Sequence, residues 1–438
     1  MKRALGKAIL LLAALLQPAT VTPSFAAAES GFRAGAARID ITPAVADLPK
    51  PFKTIHDPLY VRALVLESAG SRAVVVVGDP PTIASDVFAS LTRRIADQAG
   101  APAENVMLAV THTHNAVRLD NNPVGISIPG SAKITAITTD AIIEAVKQAT
   151  ANLRPARAGY ATGLFRLAAP RLDGDGNAPR QPPDREIGVL KIEGMDGDPI
   201  ALIVNNGPEP IMTIGLSAEV SADVAGVMER YVEQRYGEKA VVMYTVGSPP
   251  GVIYDTRQHV PGTTLADPYV LMTAVGTILG EEVLATSGRI QAVPELRIVG
   301  LLRVLTCPGK VTTPLNLPNR CSDAPGSQLP PCVFTDRDAD PVGLRIGLLQ
   351  IGPLSLIQTD SNVVPPVWAK LRDAAPSPAN TILVSLVYGP MHYVVEDASY
   401  PGNSYPVTAS TAKRGCAEQG LITNALDMIR QAARPQAK

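Results

Sequence analysis

Asn105-Val106-Met107-Leu108-Ala109-Val110-Thr111-His112-Thr113-His114-Asn115 is the stretch from which the rest of the chain is best read. Its first half, Asn105 to Val110, is an apolar run of the kind that forms a buried strand. In an extended chain the side chains at i and i+2 share a face, so His112 and His114 are expected to project together from the strand's end. Thr111 and Thr113 then fall on the other face. Two imidazoles held side by side suit a metal ion or a proton-transfer site; the plainer alternative is a pair of hydrogen-bonded structural histidines. The chain has five histidines, and two of them stand here, so any chemistry is expected to begin at this point.

Strand-like and helix-like segments alternate on both sides of this stretch. Upstream, Arg33 to Ile41 reads as a strand, and Leu59 to Ser68 with Ala73 to Gly78 reads as a hairpin around Ala69-Gly70-Ser71. Ser85 to Gln98 has helical apolar spacing at Val87, Leu91 and Ile95, with Gly100 as the stop. Downstream, Thr139 to Leu153 predicts a helix, and Ile187 to Ile192 with Ile200 to Val204 predicts a strand pair. Ser221 to Tyr236 predicts a helix with Ser221 as N-cap, followed by a buried strand, Ala240 to Thr245. A helix from Asp267 to Thr286, strands at Arg345 to Ile351, Leu354 to Gln358 and Thr381 to Val387, and helices at Val367 to Ala374 and Ala417 to Ala433 complete the pattern. This alternation predicts an α/β or mixed α+β fold, a large mixed sheet layered with helices. Ligands in such folds gather at the carboxyl ends of strands. Three loops share that address: Thr111 to Val117, Asn205 to Thr213 and Val246 to Asp255.

Composition adds a compartment. Lys2, Arg3 and Lys7 precede an apolar run, Ala8 to Leu16, and Ser24, Ala26, Ala27 and Ala28 lead into Glu29. That is the layout of a secretory signal over residues 1–28, which predicts a secreted or periplasmic protein with one domain over residues 29–438. With 39 basic and 40 acidic residues the formal charge is −1, which points away from a nucleic-acid partner. Cys307, Cys321 and Cys332 crowd a Pro-rich, irregular insertion near residues 306–341, with Cys416 far along the chain. An oxidising compartment favours one disulfide inside that segment and a second joining its remaining thiol to Cys416. Asp173-Gly174-Asp175-Gly176-Asn177 imitates the start of a calcium loop but lacks the glutamate at the twelfth position, and reads as an exposed turn.

At these loops the chain resembles a family. Phe32-Arg33-Ala34-Gly35-Ala36-Ala37-Arg38-Ile39-Asp40-Ile41-Thr42-Pro43, His56-Asp57-Pro58-Leu59-Tyr60, Asp79 after a strand, and Thr111-His112-Thr113-His114 are similar to the amino-terminal catalytic domain of neutral/alkaline ceramidases. Ser221-Ala222-Asp223 with Gly226, and Gly389 to Tyr405 with Tyr393 and Tyr400, extend the likeness colinearly. The resemblance implies a zinc-dependent hydrolase of N-acyl amides, with His112 as zinc ligand and His114 beside the reacting group. It implies a small-molecule or lipid amide as substrate, and with a lipid comes peripheral contact with a membrane. Oligomeric state is left open.

The chain departs from the family at three places. Pro208-Glu209-Pro210 stands where the family has a His-Pro pair, so Glu209 is read as a carboxylate ligand or as a turn residue. Asn362 stands at the family's glutamate ligand, with Asp360 as the nearby carboxylate. Thr245-Val246-Gly247-Ser248-Pro249-Pro250-Gly251 replaces the serine nucleophile loop, which makes Ser248 either a displaced nucleophile or part of a rigid turn. Asp79 and Asp223, at a strand end and near a helix start, read as groups that support ligands or as N-terminal helix residues rather than as direct ligands; His56, His259 and His392 read as structural or surface residues, with His259 downstream of the rebuilt loop able to approach the site. The expected site is therefore metal at His112, His114 and Glu209, with His114 and Ser248 as catalytic candidates. The competing expectation is a non-catalytic secreted binding protein on the same scaffold.

Overall fold

The computed structural model describes residues 31–120, 129–170, 183–213, 218–249, 252–254, 267–314, 334–385, 389–402 and 404–434. The expected signal segment, the expected turn at 173–177, His259, Cys321 and Cys332 lie outside the described residues.

Eight strands form one mixed sheet: β1 (Arg33–Asp40), β3 (Tyr60–Ser68), β4 (Ser71–Gly78), β5 (Val106–Val110), β6 (Arg154–Leu164), β8 (Glu186–Gly194), β9 (Pro199–Asn206) and β11 (Val241–Val246). Their order is β11-β9-β8-β6-β1-β3-β4-β5. A second sheet, β13-β14-β15-β17, is built from β13 (Ile298–Pro314), β14 (Phe334–Ile351), β15 (Leu354–Thr359) and β17 (Thr381–Ser385). Short ribbons pair β2 (Thr54–Ile55) with β10 (Glu219–Val220), β7 (Ala168–Pro170) with β12 (Val252–Tyr254), and β16 (Asn362–Val363) with β18 (Tyr393–Val394). The helices are α1 (Ser85–Ala99), α2 (Ala132–Ala151), α3 (Asp223–Arg235), α4 (Pro268–Ser287), α5 (Pro365–Ala374), α6 (Tyr405–Ala409) and α7 (Ala417–Ala433). The mixed α+β architecture expected from the alternation is the one observed.

Three parallel pairs carry the functional geometry. β4 and β5 are joined through α1, β9 and β11 through α3, and β15 and β17 through α5. Parallel strands need such crossovers, and each leaves a loop at the carboxyl end of its first strand. Buried residues of α1 and α2 share one apolar core with β1, β3, β4, β5 and part of the four-stranded sheet. Residues of α3 and α4 share a second core with β8, β9 and β11, and α5 and α7 cover the four-stranded sheet in a third. Gly35 lets α2 sit directly on β1, since a Cβ there would lie 2.3 Å from the Ala149 carbonyl oxygen. On β11, at the sheet's edge, the N–H groups of Val242 and Tyr244 donate to the carboxylates of Glu233 (3.1 Å) and Glu229 (2.8 Å) of α3. Side chains thus occupy donors that an open edge would expose.

The structure differs from the sequence expectation at several elements. Helix α2 starts at Ala132 rather than Thr139, with the Ser131 hydroxyl accepting from Ile134 N at 3.3 Å. Burial of Ile134, Thr135 and Thr138 outweighs the poor helix propensity of the threonines that hid this turn. Ala222, not Ser221, caps α3. β6 and β13 were not expected at all. Nor is the described part of the Pro-rich segment irregular: β13 and β14 form a long hairpin that absorbs Pro308 at a register shift between Cys307 and Gly309. A bulge is where a proline can sit within a ladder. Cys416, at the start of α7, takes a thiol of that segment as expected, forming a disulfide with Cys307.

Candidate metal centre

The His-box loop is turned rather than extended. β5 ends at Val110, and His112 adopts a left-handed backbone with φ +63°. Such a conformation is costly for a residue with a Cβ and is held only where surroundings impose it. The two imidazoles therefore meet through a turn rather than through strand alternation. Their rings pack edge to face with centroids 4.9 Å apart, and the Nε2 atoms lie 3.4 Å from each other. Thr111 and Thr113 are buried, and the Thr113 hydroxyl donates to Ser221 O at 2.9 Å.

Glu209 arrives from the loop after β9. Its carboxylate oxygens stand 3.6 Å from His112 Nε2 and 4.0 Å from His114 Nε2. Among the described residues, these three form the one cluster of His, Cys, Asp or Glu whose ligand atoms all lie within 4.8 Å of one another. Glu209 sits between two prolines, and that loop is fixed at both ends: the Tyr244 hydroxyl donates to Pro208 O at 2.6 Å, and His114 N donates to Pro210 O at 3.4 Å.

The donor chemistry fits a divalent cation of zinc type. Nδ1 of His112 is hydrogen-bonded to the Pro81 carbonyl. A carbonyl only accepts, so the proton is on Nδ1 and the Nε2 lone pair faces His114 and Glu209. Ligand atoms about 2.1 Å from a tetrahedral zinc are about 3.4 Å from each other, which matches the spacing of the two imidazole nitrogens. Two neutral imidazoles and one carboxylate are also a donor set that catalytic zinc uses with an open position. The Pro81 carbonyl was not foreseen; the only hint of it was the Asp79-Pro80-Pro81 turn after a predicted strand.

The other expected residues are held by contacts of their own. Ser248 is 1% exposed and its hydroxyl donates to Val363 O at 2.6 Å, tying the β11 loop to β16. Asn362 N donates to His392 O at 2.9 Å. Tyr400 donates to Ala412 O and carries Lys310 over its ring, while Tyr393 packs edge to face with Tyr405. His56 stacks flat on Tyr269 with centroids 3.5 Å apart. Asp79 accepts from Tyr60 N and pairs with the buried Arg62. Asp223 is wholly buried at the start of α3, bonded to both site loops.

Asp360 lines a separate cleft with Arg345, Phe88 and Glu104. Burial pushes its carboxyl up to about 6 against an ordinary 3.8, an effect that the Arg345 N–H and guanidinium only partly oppose. Between these two values the folded protein holds a proton that the unfolded chain has lost, so stability falls as pH rises through that window. Asp360→Asn keeps an acceptor for Arg345 N (3.1 Å) and removes the titration. It is expected to flatten the stability profile between about pH 4 and 6 and to gain about 1–3 kcal/mol at pH 7. Urea unfolding at a series of pH values checks this, and an unchanged slope would contradict it.

No family model matches the sequence. Two solved structures are similar over 94% of this chain at 18% sequence identity: a ceramidase complexed with C2, TM-score 0.75 over 77% of its own length, and the neutral ceramidase of Pseudomonas aeruginosa, TM-score 0.74 over 76%. The chain therefore has the neutral ceramidase fold, with His112, His114 and Glu209 gathered where strands β5 and β9 end.

Proposed function

We propose that the protein is an exported, metal-dependent hydrolase of N-acyl amides, with lipid amides as its substrate class. The observation that carries this reading is the convergence of two imidazole nitrogens and a carboxylate within 4.8 Å, with the tautomer of His112 set by a backbone carbonyl. The shared fold with ceramidases supports the choice of an amide bond.

The residues divide the work as follows. His112 offers Nε2 because Pro81 holds its proton on the far nitrogen. Glu209 supplies a third donor and a negative charge that offsets part of the charge of a divalent cation. A zinc-type ion, when bound, supplies a Lewis acid that polarises an amide carbonyl and acidifies water. The His114 side chain is 22% exposed against 11% for His112, so it is the imidazole that an incoming substrate meets. Water is assigned as nucleophile because the Ser248 hydroxyl is committed to Val363 O in a buried position. The water oxygen bonds to the carbonyl carbon, the C–N bond breaks and a proton from that water goes to the leaving amine, with the more exposed His114 placed against the substrate.

Elemental analysis of protein purified without added metal tests the reading, together with His112→Ala and fatty-acid release from a short-chain N-acyl amide. Near-stoichiometric zinc in the wild type, lost with activity in the variant, is the expected outcome. An empty, inactive wild type would instead favour a binding protein on a hydrolase scaffold.

A further inference from the structure

Segment 221–223 lies between the two loops of the site and bonds to both. Ser221 N donates to Asn115 O at 2.8 Å, and Ser221 O accepts from Thr113. Asp57 anchors the segment from behind, accepting from Ser221 Oγ and from Ala222 N at 3.0 Å. Asp223, with no exposed surface, then reaches forward. Its Oδ2 accepts from Thr213 N at 3.0 Å, Thr213 Oγ1 at 2.8 Å and Asn115 Nδ2 at 3.4 Å. Its Oδ1 accepts from Met212 N at 3.3 Å and Val224 N at 2.7 Å. Asn115 follows His114 directly, and Met212 and Thr213 close the loop that carries Glu209. One carboxylate thus bridges the histidine loop and the glutamate loop, beside the direct bonds from Asn115 Nδ2 to Thr213 Oγ1 and from His114 N to Pro210 O.

The backbone supports a dedicated role. Asp223 has φ +54°, a left-handed conformation at the first residue of a helix, where an ordinary N-terminus would need none. Strain of this kind persists only where the surroundings over-determine a residue, here through the five donors on its carboxylate. A helix start would be served by the Val224 bond alone; the donors from Thr213 and Asn115 serve the spacing of the two loops.

We propose that Asp223 is a positioning residue that sets the distance between the His112–His114 pair and Glu209 and so tunes the affinity of the site for a divalent cation. This rests on the metal-site reading above, and the test separates the two. Zinc affinity is measured by competition with a chromophoric chelator for wild type, His112→Ala, Asp223→Asn and Thr213→Val, with cobalt absorption spectra reporting ligand geometry. Asp223→Asn sets an amide NH2 against N–H donors and is expected to weaken zinc binding by about tenfold or more, the scale seen when groups supporting ligands are removed. Thr213→Val leaves Asp223, its bond from Asn115 Nδ2 and the helix start in place, removes the Thr213 hydroxyl from both Asp223 and Asn115, and is expected to weaken binding about threefold or more, a fraction of that loss. Both variants are expected to show an altered cobalt spectrum. A role confined to starting the helix would lower thermal stability and leave zinc affinity and the cobalt spectrum of folded Thr213→Val unchanged; that result overturns the proposal even if Asp223→Asn does not fold. If wild type binds no metal, the metal-site reading falls first and takes this one with it; if His112→Ala loses zinc while both other variants bind as wild type, only the role of Asp223 is rejected.

Discussion

Arg62→Met is expected to destabilise the protein by about 3–5 kcal/mol, the cost of leaving buried charge without its partner. The Arg62 guanidinium has no exposed surface and lies 2.9 Å from Glu229, 3.4 Å from Asp79 and 3.5 Å from Glu233. Arg38 joins the group through Glu233, and Arg62 rests over the Tyr60 ring at 5.1 Å. Two guanidiniums therefore face three carboxyls. Burial holds Glu229 well above the ordinary carboxylate range and raises Asp79, while Arg62 pulls both the other way. Removing Arg62 takes away the opposing charge, so the folded-state affinity of these acids for protons rises further. For a carboxyl raised in this way the sign is fixed: stability is lost as pH rises above the unfolded value. The deficit should then be larger at pH 8 than at pH 5. Urea unfolding followed by fluorescence of Trp368, the single tryptophan, measures both values. A deficit below about 1 kcal/mol, or one that is the same at the two pH values, would show that the cluster is not held by this cation.

The same cluster shows what a sequence can and cannot disclose. Apolar runs such as Asn105 to Val110 and the helical spacing of Val87, Leu91 and Ile95 carry their structure locally, so β5, α1 and the alternation around them were legible. Arg62 was not, because a charged residue in a strand reads as solvent-facing. Its partners come from a strand end and from a helix over 160 residues away. The long hairpin of β13 and β14 was hidden for another reason. Its outer arms carry Pro308 and the charged run Asp336 to Asp338, a composition shared with loops, and only cross-strand pairing makes it a sheet. At the site, the histidine pair was legible as chemistry because two imidazoles two residues apart are rare in a chain with five. The reason for their meeting is not local: period-two alternation predicts it from an extended chain, whereas the left-handed turn at His112 brings the rings together. Glu209 was legible only against the family pattern, and the Pro81 carbonyl depends on a tertiary contact that no local signal announces.

Glu209→Gln is expected to raise the zinc dissociation constant at least about a hundredfold, beyond the loss caused by removing a merely supporting group. It should leave the metal-free protein within about 1 kcal/mol of wild type. The amide is the same size, so the loop between Pro208 and Pro210 keeps its contacts through Tyr244 and His114 N; what changes is the charge facing the two imidazoles. Glu209→His provides the contrast, because it restores the imidazole that the ceramidase resemblance places there. Its zinc affinity is expected to stay near wild type at pH 8 and to fall more steeply on acidification through about pH 6.5, since a third ring must now give up its proton to bind. Chelator competition at pH 8 and pH 6 measures both. If Glu209→Gln binds zinc as the wild type does, the carboxylate is only a turn residue, and two imidazoles would have to hold the ion alone. The 3.6 and 4.0 Å approaches of its oxygens to His112 and His114 argue otherwise. A carboxylate fixed between two prolines at that distance, facing an imidazole lone pair, serves an acid–base neighbour poorly and completes a metal's donor set well.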